Sequence, residues 1–296
     1  MKTVTEAIIE RIEAERELLR AFLLEHSGGL RDLNTRDSSI FIVGPSRAWA
    51  PLSQDARRLQ SRLLEMNDRL AALIRALLRN APDDAAKALN EAQETLEELI
   101  DQSHLASVKT TQQAFTEAEE ALDKQLGLIA NLYDPVEGPP IYVPDTNALL
   151  WNPDLEEWRF DEVKRFTLVI TAAVLGELDR LKIEHRNPDV RERAEGLIRR
   201  IKSYRGRGDL ASGVPLVRNV SAIKTIALEP KVEETLPWLD PSNEDDRILA
   251  SFVEVMREHV RTPVILVTRD INLQNKAEYA GLPFVEPPDP PAAESE

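Results

Sequence analysis

The residues of this chain best suited to chemistry are five carboxylates in its C-terminal half. They are Asp145, Glu177, Asp245, Asp246 and Asp270. Two of them closely follow short apolar runs, and the other three lie in the first turns of predicted helices. Carboxylates gathered in one pocket cannot all ionise cheaply, and a hard divalent cation with oxygen ligands usually offsets their repulsion. The pattern therefore predicts a site for Mg²⁺ or Mn²⁺.

Each of these acids also has a plainer local explanation. Asp145 and Asp270 could be helix caps or turn formers, and Glu177 could be a surface residue of its helix. Ser242 and Asp245 have capping-box spacing, so Asp245 could hold a helix start and leave its neighbour as the better ligand. Taken singly, the local explanations are favoured. The joint placement at strand ends and first helical turns favours a common site.

Composition narrows the kind of site. The chain of 296 residues has no cysteine, which excludes disulfides, thiolate zinc sites and a cysteine nucleophile, and fits a cytoplasmic protein. Its four histidines form no pair at metal-ligand spacing. A net charge of −15 argues against coating nucleic acid by bulk electrostatics. We find no signal-peptide pattern and no apolar run long enough to span a membrane, so we expect no membrane partner.

The elements that must position the acids alternate between strand and helix. Predicted strands cover 141–143, 166–170, 264–268, 284–285 and, more weakly, 216–220. Predicted helices cover 173–185, 189–204, 242–260 and 271–280. Such alternation is typical of a parallel sheet covered by helices on both faces. Because parallel strands end at one edge of a sheet, we expect the acids to meet there.

The region before this alternation is different. Residues 1–135 show helical periodicity almost throughout, with a short strand-like run at 39–43, and this favours antiparallel helices in a bundle or hairpin. Nothing in it has a catalytic pattern, so we expect it to contact a protein partner or to self-associate. We predict a linker at 136–140, an α/β domain at 141–286 and a disordered acidic, proline-rich tail at 287–296.

Four segments of the C-terminal half, in this order, resemble the PIN-domain family of metal-dependent ribonucleases. They are VPDTNALL, VITAAVLGELDRLK, NEDDRILA and VILVTRDINLQNKAEYAGLPF. The resemblance covers about residues 140–286. It implies a Rossmann-like α/β/α sandwich with a parallel sheet, an acidic pocket for Mg²⁺ or Mn²⁺, and hydrolysis of RNA phosphodiester bonds, mostly as an endonuclease.

The resemblance also implies roles for single residues. Carried over by position, the four acids of the family fall on Asp145, Glu177, Asp246 and Asp270, and Asp245 is a neighbour that some members use or add. Asn147 and Thr268 match polar positions that support the acids. The implied mechanism is metal-assisted in-line attack by water, in which Glu177 orients a second metal or the attacking water.

Delivery of RNA to so acidic a site needs local positive charge. Between 164 and 207 there are 12 Lys or Arg against 6 acids, and the densest part contains Arg199, Arg200, Lys202, Tyr204, Arg205 and Arg207. Arginine and lysine could hold phosphates while the tyrosine offers a stacking face, most simply for single-stranded RNA. Alternatively, these cations are the solvated C-terminal turn of a helix.

Rival functions differ in what they require. A haloacid-dehalogenase-type phosphohydrolase needs a second Asp two residues after the first, where this chain has Asn147. A DNA nuclease of the flap-endonuclease type shares the acidic pocket. A non-catalytic PIN scaffold or an RNA-binding interaction protein would usually lack some of the acids. A PIN toxin is usually a bare domain without a long helical region.

Overall fold

The computed structural model describes residues 3–34, 47–103, 105–134 and 136–291. The chain divides into two compact units, one of Thr5–Asp134 and one of Pro135–Glu296 together with Met1–Val4. The strand predicted at 39–43 lies outside the described residues. Among the helices that are described, none is both long enough and apolar enough to cross a membrane.

The described part of the N-terminal unit is mainly helical, as predicted. Its α-helices are α1 (Val4–Arg20), α2 (Gln54–Leu77), α3 (Asp83–Asp101) and α4 (Thr111–Tyr133), and Ala21–His26 continues α1 as a π-helical segment. α3 packs against both α2 and α4. The apolar side chains of Ile8, Ile12 and Leu19 in α1 are completely buried, which is what a 3.6-residue period requires of a helix facing a core.

A small antiparallel sheet accompanies these helices. Its strands are β1 (Leu30–Asp32), β2 (Arg47–Trp49) and β3 (Leu105–Ala106), with β2 in the middle. No sequence pattern predicts this sheet, because strands of two or three residues are too short to show an alternating pattern.

The C-terminal unit contains a six-stranded sheet flanked by helices, which confirms the predicted fold class. Its strands are β4 (Ile141–Pro144), β5 (Phe166–Ile170), β6 (Val214–Val217), β7 (Ser221–Thr225), β8 (Val264–Val267) and β9 (Phe284–Val285). Its helices are α5 (Thr146–Trp151), α6 (Ala172–Glu184), α7 (Pro188–Ser203), α8 (Glu244–Glu258) and α9 (Ile271–Ala280). The strand order is β6-β7-β5-β4-β8-β9, and only β6 pairs antiparallel to its neighbour.

The topology creates a crevice between the ends of β4 and β8. These strands are neighbours, pairing Ile141 with Val264 and Pro144 with Val267, and every residue in both is buried. The chain leaves β4 toward β5 on one side and leaves β8 toward β9 on the other. Ligands of open α/β sheets bind where connections diverge in this way.

The prediction of one strand at 216–220 is wrong in its bounds and in the number of strands. The structure has two strands there, β6 and β7, joined by a turn in which Asn219 adopts a left-handed conformation with φ of 62°. Asparagine tolerates that conformation better than most residues. Pro215 lies exposed in β6, where an edge strand accepts a residue without an N–H group.

Candidate active site

Asp145 is the most buried acid at the carboxyl edge of the large sheet, with 2% of its surface exposed. Its Oδ1 accepts a hydrogen bond from the Ala148 backbone N–H at 2.6 Å, which caps α5. Its Oδ2 accepts one from the Thr268 hydroxyl at 2.5 Å. Asp145 therefore caps α5, as its local explanation predicts, and contacts Thr268. That Asp145 is a site residue and that Thr268 supports it in that role stay predictions.

The pKa of Asp145 is raised to about 7, chiefly by burial. The negative charges of Glu177 and Asp270 contribute to this rise, whereas the hydrogen bonds from Thr268 and Ala148 act in the opposite direction. Asp145 is thus a buried carboxyl group held among other carboxylates. It is the kind of group that a bound cation would convert to its charged form.

Glu177 and Asp270 are oriented by the two residues that follow Asp145. The Thr146 hydroxyl donates to Glu177 Oε2 at 2.6 Å, and Asn147 Nδ2 donates to Asp270 Oδ2 at 3.2 Å. Burial raises the pKa of Glu177, and the charges of Asp245 and Asp270 add to that effect. Asp270 also caps α9 through the Asn272 N–H, at 2.8 Å.

The structure corrects the reasoning about Asp245 and Asp246. The N-cap of α8 is Asn243, not Ser242, and its Oδ1 accepts from the Asp246 N–H. Asp246 is buried, and its carboxylate accepts from the Asp240 N–H at 2.9 Å and lies 2.7 Å from Lys276 Nζ. The cap argument that favoured Asp246 as a ligand therefore no longer holds, and it is the charge of Asp245 that acts on Glu177.

We expect the two aspartates of α8 to respond differently to substitution. Asp246→Ala should lower the free energy of unfolding by about 1–3 kcal/mol, because it leaves the Asp240 N–H without its partner and removes the shorter of the two ion pairs of Lys276, whose other partner is Asp245 at 3.4 Å. Asp245→Ala should change stability by less than about 0.5 kcal/mol and should weaken Mn²⁺ binding. Urea unfolding and Mn²⁺ titration of both variants measure this. Equal losses of stability would contradict the distinction.

The donor set fits a hard divalent cation in chemical type. Asp145, Glu177, Asp245 and Asp270 offer only carboxylate oxygens, and within the described ranges no Lys or Arg forms an ion pair with Asp145, Glu177 or Asp270. Within those ranges, the positions of the side chains do not form a complete metal-binding arrangement. Among the residues that the structure describes, no three acids or histidines are arranged to hold a metal ion.

Arginines that the sequence analysis did not single out lie beside Glu177. A pocket of about 150 Å³ is lined by Ala173, Gly176, Glu177, Arg180, Glu244 and Arg247. Arg180 pairs with Glu244, and Arg247 pairs with Glu229 at 2.9 Å. The placement of Arg180 three residues after Glu177 was the available signal, since residues at that spacing share a helix face.

The basic run at 199–207 is largely structural. Tyr204 is 1% exposed and donates to Glu156 Oε1 at 2.7 Å, so the prediction that it offers a stacking face is wrong. Arg200 pairs with Asp154 at 2.7 Å, and Arg207 donates to two backbone carbonyls of β6. These two arginines therefore have partners within the protein, and their RNA-binding role stays a prediction. The remaining exposed cations of the run are Arg199, Lys202 and Arg205.

The C-terminal half of the chain matches a known protein family. The PIN domain family model matches residues 142–286, which contain the sheet edge and all five acids. The chain matches no curated protein.

Proposed function

Residues 142–286 belong to the PIN-domain family, whose members are generally nucleases, and we propose that this chain is a metal-dependent endoribonuclease that cleaves single-stranded RNA. The observation that carries the proposal is the burial of Asp145 beside Glu177 and Asp270. A carboxyl group held this way costs stability whenever it ionises. In a metal-dependent nuclease such a group is stabilised in its ionised form by the cation that it binds.

A divalent cation, Mg²⁺ or Mn²⁺, would be held by Asp145 with Asp270, Glu177 and Asp245, and Asp246 is the alternative from α8. When bound, such an ion lowers the pKa of a water molecule and offsets charge on the scissile phosphate. The other groups of the site position the acids through hydrogen bonds. Thr268 and the Ala148 N–H hold Asp145, Thr146 holds Glu177, and Asn147 holds Asp270.

The phosphate backbone needs positive charge near these acids. Arg180 and Arg247 are the nearest candidates on α6 and α8, since both line the pocket beside Glu177. Each has a glutamate partner, so an incoming phosphate would exchange one ion pair for another. We assign delivery of RNA to these arginines, in place of the predicted run at 199–207.

The test is a nuclease assay with the full chain. Single-stranded RNA, duplex RNA and single-stranded DNA of one sequence are each incubated with Mn²⁺, Mg²⁺ or EDTA. We expect internal cleavage of single-stranded RNA that requires Mn²⁺ or Mg²⁺ and stops in EDTA. Cleavage of DNA alone would favour a DNA nuclease of the flap-endonuclease type, and activity that survives EDTA would exclude the proposed metal chemistry.

A second function is favoured by one observation. Since no three acids or histidines in the described ranges are arranged for a metal ion, the domain could bind RNA or a protein without cleaving. This non-catalytic function predicts RNA binding that is unaffected by Mn²⁺ and no cleavage under any condition of the same assay. The helical unit would then contribute a partner-binding or self-association surface.

A further inference from the structure

Trp151 and Arg269 form a stacked pair on the surface of the C-terminal unit. The Arg269 guanidinium carbon lies 3.5 Å from the centroid of the Trp151 ring. Trp151 is nevertheless 40% exposed, and Arg269 is exposed as well. A flat aromatic surface with a cation against it is therefore open to a ligand.

The pair lies next to the acids because of where its two residues fall in the chain. Trp151 is four residues after Asn147 in α5, so the two share one face of that helix. Arg269 immediately precedes Asp270. Asn147 contacts Asp270 while Trp151 contacts Arg269, so one helix face meets one loop at two successive points. The first point belongs to the acidic site, and the second lies just beyond it.

No carboxylate of the described residues neutralises the charge of Arg269. Within the described ranges Arg269 forms no ion pair, although the chain has 52 acidic residues. An arginine so placed can take a phosphate without first giving up an acid, unlike Arg180 and Arg247. The exposed part of the indole offers an aromatic surface on which a base can stack, whichever of the four bases it is.

We propose that Trp151 and Arg269 form a binding subsite for one unpaired nucleotide of the RNA strand, next to the phosphate that is cleaved. The base stacks on Trp151, and Arg269 holds the adjoining phosphate. Bases in a duplex are already stacked on each other and cannot reach this surface, so the subsite selects single strands. This inference rests on the proposed function for its substrate, but it concerns binding and is tested without cleavage.

The experiment measures binding of the full chain to a fluorescently labelled single-stranded RNA in EDTA, by fluorescence anisotropy. Trp151→Ala should weaken binding about tenfold, and Trp151→Phe should restore most of the loss because it keeps a stacking face. An RNA of the same length with abasic positions should bind wild type and Trp151→Ala equally. Arg269→Gln should weaken binding and lower the slope of log K against log salt by about 0.7.

Two control variants each remove an exposed aromatic residue or arginine elsewhere in the C-terminal unit. Tyr279→Ala removes another exposed aromatic residue, which packs against Trp238, and Arg218→Gln removes an exposed arginine in the turn before β7, at the opposite edge of the sheet. Both should keep affinity within about twofold, and circular dichroism should show every variant folded.

Several outcomes overturn the inference. They are equal affinity of wild type and Trp151→Ala for intact RNA, an equal loss on abasic RNA, an equal loss in Tyr279→Ala, or no binding of single-stranded RNA by wild type. If wild type cleaves RNA but Trp151→Ala binds as tightly as wild type, the subsite is wrong and the proposed function stands. If Trp151 governs binding but no metal supports cleavage, the subsite stands and the proposed function fails.

Discussion

Asp145→Asn is expected to lower the rate of Mn²⁺-dependent cleavage of single-stranded RNA by about 10²- to 10³-fold. The substitution removes the charge of the acid that lies deepest at the sheet edge and between Glu177 and Asp270. It should leave the fold intact, because the asparagine oxygen can still accept from the Ala148 N–H and cap α5. Single-turnover cleavage assays with excess protein measure the effect on the chemical step.

The matched control is Asp179→Asn. Asp179 is an exposed acid on α6, two residues from Glu177 and therefore on another face of that helix. It should keep wild-type activity. Full Mn²⁺-dependent activity in Asp145→Asn would contradict the proposed site, and an equal loss in both variants would show a general effect of charge.

Thermal unfolding provides a second readout for Asp145. Its folded-state pKa of about 7 is raised from an ordinary value of 3.8. Between those values the native protein keeps a proton that the unfolded chain has released, so without metal the free energy of unfolding should fall as pH rises from about 4 to about 7. Asp145→Asn should lack this contribution. Mn²⁺ at pH 8 should raise the melting temperature of wild type and not that of Asp145→Asn.

Glu15→Gln is expected to stabilise the N-terminal unit by about 2 kcal/mol at pH 8. Glu15 lies in α1 with 1% of its surface exposed, and burial raises its pKa from 4.5 to about 8. One of its carboxylate oxygens is buried without a hydrogen-bond partner. The native state therefore holds a proton between about pH 4.5 and pH 8 that the unfolded chain releases, and stability should fall with rising pH across that window.

Amide hydrogen exchange of α1 peptides in the intact chain measures this locally. At pH 8, exchange in Glu15→Gln should be slower than in wild type, and the difference should shrink toward pH 5. Glu17→Gln, an exposed position on the same helix, is the control and should exchange like wild type. A faster-exchanging Glu15→Gln at pH 8 would show that the carboxylate has a partner, and the argument from burial would be wrong.

Asn67 and Gln125, like Glu15, are buried polar residues in the N-terminal unit. Both are completely buried, and among the described residues none of their side-chain nitrogen and oxygen atoms has a hydrogen-bond partner. They lie on α2 and α4, whereas Glu15 lies on α1. Buried polar groups without partners cost stability, so the core of the helical unit carries a penalty that apolar residues would avoid.

Much of the α/β unit could be predicted from the sequence, because its signals are local. The strand at 166–170 and the helix at 271–280 have the predicted bounds, since apolar runs and the stop at Gly281 act on neighbouring residues. Asp145 and Asp270 were predicted at strand ends, and both are there, each capping a helix. Parallel strands then bring these two acids to one edge.

Only the tertiary structure decided which long-range partner each polar side chain has. The sequence could not show that Lys276 pairs with Asp246, or that Glu156 binds Tyr204 and so removes it from the predicted RNA surface. These partners are 30 and 48 residues apart, and the choice among many acids and bases depends on which helices pack together. The Trp151–Arg269 pair has the same origin, because residues 118 positions apart meet only where α5 contacts the loop that follows β8.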